Sequence, residues 1–432
     1  MRFVGGPPTE EDGLGAAVLA KAQPSVDAGV SLDHYRADWF TSVPKYHLID
    51  SGSQLRDYCE DVLRAAPSIG FDTEFVAEDT FQPQICLIQV AAGGQLALVD
   101  PLRIDDLEPF WRTLADAPQT IVHACRVELE FSIAAVGRPP GGLVDTQIAA
   151  GLAGFAYPAA YAALIEKLLG YKPKKEETRT DWRRRPLSTR QIEYALDDVS
   201  HLHAMYEKID AHLRRLGRSA WLAEEMEEII RQVANSVSGE RWRRLPGISG
   251  LDPQSLAVVR ELFFWREQEA RRRDQPPRRV LRDDLIVELA RRKTADPARI
   301  RAVRGMNWRG VSIYIGDLAQ CIERGLELPI EQRPKKAPAQ RNQEMSVLGQ
   351  FLFAALGSVA RKAELAPNLV GGPNDIRDLL AARTDAGRAA HPPKLARGWR
   401  KQFIGDLFDE LLSGRRAVRV ADPDSDFPLE FE

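Results

Sequence analysis

The apolar residues of this chain change their spacing once, and that change sets the architecture. Between Tyr46 and His123, short runs rich in β-branched and aromatic residues follow one another at 47–49, 68–75, 84–91, 96–99 and 120–123. Runs this short, bounded by turn residues, read as strands. Gly93-Gly94 between the third and fourth is a two-residue hairpin signal. Beyond His123 the apolar positions take helical spacing, first at Leu129, Ile133 and Val136, and helices dominate to about Asn235. An antiparallel meander followed by alternating strand and helix predicts an α/β catalytic domain with a mixed sheet over residues 46–215.

A chain of 432 residues is too long for one ordinary core, so further domains are expected. Residues 1–45, rich in Gly, Pro and Ala, read as an N-terminal extension with a short helix over 13–23. Residues 216–239 read as a connecting helix. Region 240–325 is helical and Arg-rich, with amphipathic stretches at 256–273, 282–292 and 297–303 and a break at Pro276-Pro277. Residues 326–344 form a polar linker by composition. A second helical unit follows over 345–420, interrupted at Val370-Gly371-Gly372-Pro373-Asn374, and 421–432 reads as a loose acidic tail.

Composition narrows the class. With 44% hydrophobic and 28% charged residues the chain is an ordinary globular one, and its net charge of −3 confines any nucleic-acid surface to local clusters. The longest apolar run, 85–92, is broken by Gln89 and far too short to span a bilayer, and the first ten residues lack a signal-peptide pattern. Cys59, Cys86, Cys125 and Cys321 are widely spaced, which argues against a zinc site or a disulfide framework and fits a reducing, cytoplasmic setting without membrane partners. No GxGxxG, P-loop or GxSxG pattern stands out.

Three segments carry chemistry. Residues 69–75 read Ile-Gly-Phe-Asp-Thr-Glu-Phe, so a strand there sends Asp72 and Glu74 to one face and Phe71, Thr73 and Phe75 to the other. Two neighbouring carboxylates repel each other and make sense around a cation; the bland alternative is a solvent-facing edge strand. On the helix beginning near Gln191, Tyr194 and Asp198 lie one turn apart, with Asp197 the alternative ligand. After the strand ending at His123, a helix carries Glu128 and Glu130, which would also suit an ordinary helix N-terminus.

In this order the segments DTE, His123-Ala-Cys-Arg-Val-Glu-Leu-Glu and Tyr194-x-x-x-Asp198 resemble the ribonuclease D family, DEDD exonucleases of the Tyr subclass. Pro83-Gln-Ile-Cys-Leu-Ile-Gln-Val, Leu98-Val-Asp-Pro-Leu, Asp145-Thr-Gln-Ile-Ala-Ala and Thr180-Asp-Trp-Arg-Arg-Arg-Pro-Leu agree with it. Downstream, Trp242-Arg-Arg-Leu-Pro-Gly-Ile and Phe264-Trp-Arg-Glu-Gln-Glu-Ala-Arg-Arg-Arg-Asp look like a helicase-and-RNase-D C-terminal (HRDC) domain, and 345–420 is similar to a second, more divergent one. The resemblance implies a ribonuclease-H-like exonuclease domain followed by all-α HRDC-like domains. It implies 3′→5′ trimming of single-stranded RNA 3′ ends, tRNA precursors included, with two divalent cations, Mg²⁺ or Mn²⁺.

By the same resemblance Asp72, Glu74, Glu128 and Asp198 are metal ligands and Tyr194 orients the attacking water. Glu128 departs from the family, which has Asp there, and adds one methylene of reach. A basic block beside Trp182, with Lys174, Lys175, Arg179, Arg183, Arg184 and Arg185, is expected to bind nucleic acid near the site, and an Arg-dense block over 266–304 to extend that track. Two other readings stay open: a catalytically silent RNA-binding protein that lost proficiency through Glu128, and a DNA-directed exonuclease.

Overall fold

The computed structural model describes residues 44–172, 180–237, 241–306, 309–335, 345–383 and 392–432. The helix expected over 13–23 lies outside them. Six strands, β1 His47–Ile49, β2 Ile69–Val76, β3 Gln84–Ala92, β4 Gln95–Val99, β5 Thr120–Val122 and β6 Leu143–Asp145, form one sheet in the order β1-β4-β3-β2-β5-β6. β2, β3 and β4 are antiparallel neighbours, while β1 joins β4, β5 joins β2 and β6 joins β5 in parallel. Gly93 and Gly94 turn β3 into β4 with φ of +56° and +73°, the two left-handed residues that a tight hairpin requires. β6 escapes sequence reading because three residues show no alternation. Its place depends on Gly142, where φ is +51° and an added Cβ would lie 2.2 Å from the Pro118 carbonyl oxygen.

The sheet divides its covering helices by face. On one side α1 Gly52–Tyr58 and α2 Glu108–Ala115 pack with α3 Arg126–Val136. Phe71 points that way and meets Phe110 and Trp111 edge-on at 6.2 and 6.1 Å between ring centroids. After α4 Thr146–Leu152 and α5 Tyr161–Leu169, helices α6 Thr189–Ser200 and α7 Leu202–Arg215 cover the opposite face. There Gly70 lies so near Leu202 and His203 that a Cβ would crowd both. Asp72, two residues along β2, faces the same side.

After α8 Ser219–Val237, the Arg-rich region forms a compact body of its own. It comprises α9 Pro253–Arg272, α10 Pro277–Val280, α11 Asp283–Arg292, α12 Pro297–Arg301, α13 Arg309–Ser312 and α14 Ile315–Glu327. Trp242, Leu262, Ile286, Ile300, Leu318 and Ile322 belong to its separate hydrophobic core. Asp252 caps α9 by accepting the backbone N–H groups of Gln254 and Ser255, both at 3.0 Å. Many of the arginines expected to line a phosphate track are held by acids instead: buried Arg266 by Asp283 at 2.6 Å, and Arg272 and Arg273 by Glu269, each at 2.6 Å. This body touches the catalytic region through the β2–β3 loop. The Phe81 N–H donates to Asp274 at 3.1 Å, Arg271 sits 5.3 Å from the centre of the Phe81 ring, and Arg279 pairs with Asp79 at 2.9 Å.

The last helices are built differently. α15 Val347–Lys362, α16 Pro367–Val370, α17 Pro373–Ala382, α18 Gly398–Arg400 and α19 Asp406–Leu412 share one continuous core with the exonuclease-like region. In it Leu352, Leu356, Trp399 and Phe408 belong with Ile148, Leu152 and Leu222. Arg218 staples the two together, donating to the carbonyls of Leu152 and Glu364, both at 2.7 Å, and of Ala363. Glu225 on α8 accepts the Trp399 indole N–H at 2.8 Å and pairs with buried Arg400. The expected loose tail is ordered too: β7 Val418–Val420 pairs with β8 Leu429–Phe431, and Arg419 bridges Glu430 at 2.6 Å and also Glu432. Glu430 and Glu432 of the tail thus pair with a strand residue instead of merely repelling one another.

Candidate active site

β2 delivers Asp72 and Glu74 toward α6, and the register between β2 and β3 slips at Glu74/Phe75. Such irregularities re-aim side chains where a strand ends its regular pairing. α6 starts sharply because Ser188 and Gln191 cap it reciprocally: Ser188 Oγ accepts the Gln191 N–H at 3.2 Å, and Gln191 Oε1 accepts the Ser188 N–H at 2.9 Å. Ala195, Leu196 and Val199 are buried on it. That seats Tyr194 and Asp198 over β2, where the Asp198 carboxylate bears on the Tyr194 phenol. Asp197 belongs elsewhere: its carboxylate lies 3.5 Å from the Tyr171 hydroxyl, and its carbonyl accepts from Tyr161 at 3.1 Å. Asp198 is the member of the pair that shares the electrostatic environment of Asp72.

α3 brings in Glu128, which is 5% exposed, while Glu130 faces solvent. Glu128 Oε1 accepts the Thr73 hydroxyl at 2.9 Å, so its longer arm is engaged by β2 itself. The turn that launches α3 is held by a residue the sequence reading did not single out. Ala124 adopts φ +62°, and its N–H and that of Cys125 donate to the Asp145 carboxylate at 3.1 and 2.9 Å. Asp145 also caps α4 through Gln147 N–H at 2.8 Å. An Asp directly before a helical run is the signal that could have found it.

The carboxylates strain against one another. Loss of hydration, then Glu128 and Asp198, hold Asp72 well above the ordinary carboxylate range. Desolvation and then Glu128 push Glu74 up to about 7, and desolvation first of all pushes Glu128 up to about 7. Desolvation, followed by Asp198, Glu74 and Asp72, also raises the Tyr194 phenol, so it stays protonated at neutral pH. Among the described residues no three acidic, histidine or cysteine side chains close on a single ion position. The donor set nevertheless fits a hard divalent cation: it is all carboxylate oxygen, and a cation is what relieves its mutual repulsion.

Of the expected nucleic-acid block, Lys174, Lys175 and Arg179 lie outside the described residues. Trp182 is 3% exposed and packs 6.0 Å from the Tyr194 ring, so it supports the site from below and offers no open face to a base. Arg185 grips Asp100 through two bonds of 2.6 and 2.7 Å and donates to the Cys86 and Trp182 carbonyls, bracing the loop against β3 and the residue after β4. Arg183 pairs with Asp181 at 2.9 Å and Asp79 at 3.1 Å while remaining partly exposed, and Arg184 is exposed.

A mixed sheet presenting carboxylates from β2, α3 and α6 beside a helical C-terminal region defines the class. A family described as 3′-5′ exonuclease matches residues 46–214, and the HRDC domain family matches residues 255–322. Ribonuclease D of Pseudomonas paraeruginosa is 34% identical, covering 85% of this chain and 97% of its own length. Ribonuclease D of Nitrobacter hamburgensis is 32% identical, with coverage of 86% and 97%. The chain belongs to the ribonuclease D family. The crystal structure of Escherichia coli RNase D, an exoribonuclease involved in structured RNA processing, superposes with a TM-score of 0.76 at 28% identity. It covers 86% of this chain and 99% of that one. The family's chemistry depends on divalent metal. Among the described residues no helix is long and apolar enough to cross a membrane.

Proposed function

We propose that this chain is a metal-dependent 3′→5′ exoribonuclease acting in the cytoplasm on single-stranded RNA 3′ ends, tRNA precursors among them. The observation that supports the reading is the mutual electrostatic influence of Asp72, Glu74, Glu128 and Asp198, which helps raise the Asp72 and Glu74 carboxyls, in a chain of this family. Two divalent cations held by these four carboxylates would supply an acidified water and charge neutralisation at the scissile phosphate. Tyr194 works in its neutral form, its O–H orienting the attacking water as a hydrogen-bonding group and not as a base. Asp145 keeps α3, and therefore Glu128, aimed at β2. Arg183 and Arg184, together with Lys174, Lys175 and Arg179, contact the RNA backbone, while Trp182 and Arg185 hold their loop in place.

The test is 5′-labelled single-stranded RNA and DNA incubated with Mg²⁺ or Mn²⁺. A one-nucleotide ladder from RNA is expected; a ladder from DNA alone would transfer the reading to a DNA-directed exonuclease, and circular RNA should resist. One observation favours a second reading, a nearly silent RNA-binding protein: Glu128 is engaged by Thr73 and carries a longer arm than the family's Asp. Mg²⁺ demands near-ideal octahedral coordination and Mn²⁺ demands it less, so wild type should favour Mn²⁺. Glu128→Asp should raise the Mg²⁺-supported rate by about tenfold, since small misplacements at a reacting centre are costly. A slower Glu128→Asp enzyme would show a site rebuilt around glutamate.

A further inference from the structure

Gln89 of β3 lies directly across from Asp72 of β2. Opposed residues of an antiparallel pair leave the sheet on the same face, with Cβ atoms about 5 Å apart. α6 covers that face, and the other cross-strand neighbour of Gln89 is Leu98 of β4. Gln89 is 0% exposed, and neither its amide nitrogen nor its amide oxygen has a hydrogen-bond partner. The surrounding residues Ile85 to Ile88 and Val90 to Ala92 are apolar, and Leu or Met would fill the same space without a buried, unpaired amide. Of its two cross-strand neighbours, Leu98 offers no polar group, and the Asp72 carboxylate has lone pairs that the amide N–H donors could serve.

We propose that Gln89 is a positioning residue of this site, its amide donating to the Asp72 carboxylate when that carboxylate holds a divalent cation. The inference rests on the metal-dependent reading above. A ligand carboxylate gives lone pairs to the ion and needs donors on its remaining ones to fix its orientation. A neutral amide does this without competing with the cation, as a lysine or arginine would.

Mn²⁺ binding to the full chain by calorimetry, and thermal unfolding with and without Mn²⁺, separate this role from a packing role. The proteins compared are wild type, Gln89→Met, Gln89→Leu and Asp72→Asn. Both Gln89 variants should melt at or above the wild-type temperature without metal. Both should bind Mn²⁺ about ten- to a hundredfold more weakly, the usual cost of losing a partner of a metal ligand, with a smaller Mn²⁺-induced rise in melting temperature. Wild-type Mn²⁺ affinity in the Gln89 variants would overturn the proposal. So would a loss of metal-free stability in both, or failure of both to fold, because an unpartnered amide cannot be what holds the metal-free fold. Asp72→Asn distinguishes the levels: if it binds Mn²⁺ like wild type, the metal reading has failed; if it alone loses binding, only the role of Gln89 has.

Discussion

Two helical regions follow the exonuclease-like sheet, and they are attached in opposite ways. The Arg-rich body around α9 and α14 carries its own core and meets the catalytic region through one loop, by exposed Asp79 and by Phe81, which packs half-buried against that core. The C-terminal helices have no such independence: Leu356, Trp399 and Phe408 are buried in the same core as Ile148 and Leu222, and buried charges at Arg218, Glu225 and Arg400 close the seam. Similar amphipathic patterns thus build a module in one case and part of the catalytic body in the other. The difference lies in which surface each apolar face covers.

Truncation should expose the contrast most strongly. Removing residues 345–432 strips a wall from the shared core, and the remaining chain should aggregate or lose cooperative unfolding. Residues 241–335 expressed alone should give their own sigmoidal melt. A well-folded chain ending at residue 344 would break the comparison.

Point substitutions should follow at a smaller scale. Glu225→Ala leaves Arg400 buried without its partner, and a buried pair broken on one side costs about 3–5 kcal/mol. That loss should appear in the transition shared by sheet and C-terminal helices. Arg266→Leu, which leaves Asp283 with only the exposed Arg278 at 3.0 Å, should lower only the transition of the Arg-rich body. Chemical denaturation followed by hydrogen exchange reads the two separately.

Acidity should act on the regions with opposite signs, and most gently. Glu74 and Glu128, raised to about 7, bind protons more tightly in the folded chain than in the unfolded one. Their contribution is full below the unfolded carboxylate pKa and is lost as pH rises through about 7, so the metal-free shared core should melt lower at about pH 8 than at about pH 5.5. Mn²⁺ should shrink that difference. In the Arg-rich body Asp252 is lowered to about 2 beside Lys293, and Glu269 to about 2 beside Arg272. Their contribution is present above the unfolded pKa and fades as pH falls toward about 2. Equal pH responses in both transitions would count against the assignment of the raised carboxylates to the shared core.

Much of this was legible from residue order. Five strands, the Gly93-Gly94 hairpin and the helix bearing Tyr194 and Asp198 follow from period and turn chemistry. Periodicity says that a helix has an apolar face but not what covers it, so the shared core of 345–412 was invisible. β6 is too short for a pattern, and β8 was hidden because its acids, which pair with Arg419, look like a solvated tail. At the candidate site, spacing could not tell Asp197 from Asp198, since adjacent helix residues point 100° apart and only packing selects one. Gln89 showed itself only as an interruption in an apolar run. Its place beside Asp72 depends on the β2–β3 register, which the sequence does not display.

The carboxylates under Tyr194 are proposed to perform the cleavage. The most direct measurement is single-turnover degradation of 5′-labelled RNA in Mn²⁺ by wild type and Asp72→Ala, with thermal unfolding of both. A one-nucleotide ladder is expected for wild type and none for Asp72→Ala, with a metal-free melting temperature for the variant equal to or above wild type, because one of several repelling acids is gone. A folded Asp72→Ala protein that cleaves at the wild-type rate would contradict the proposal.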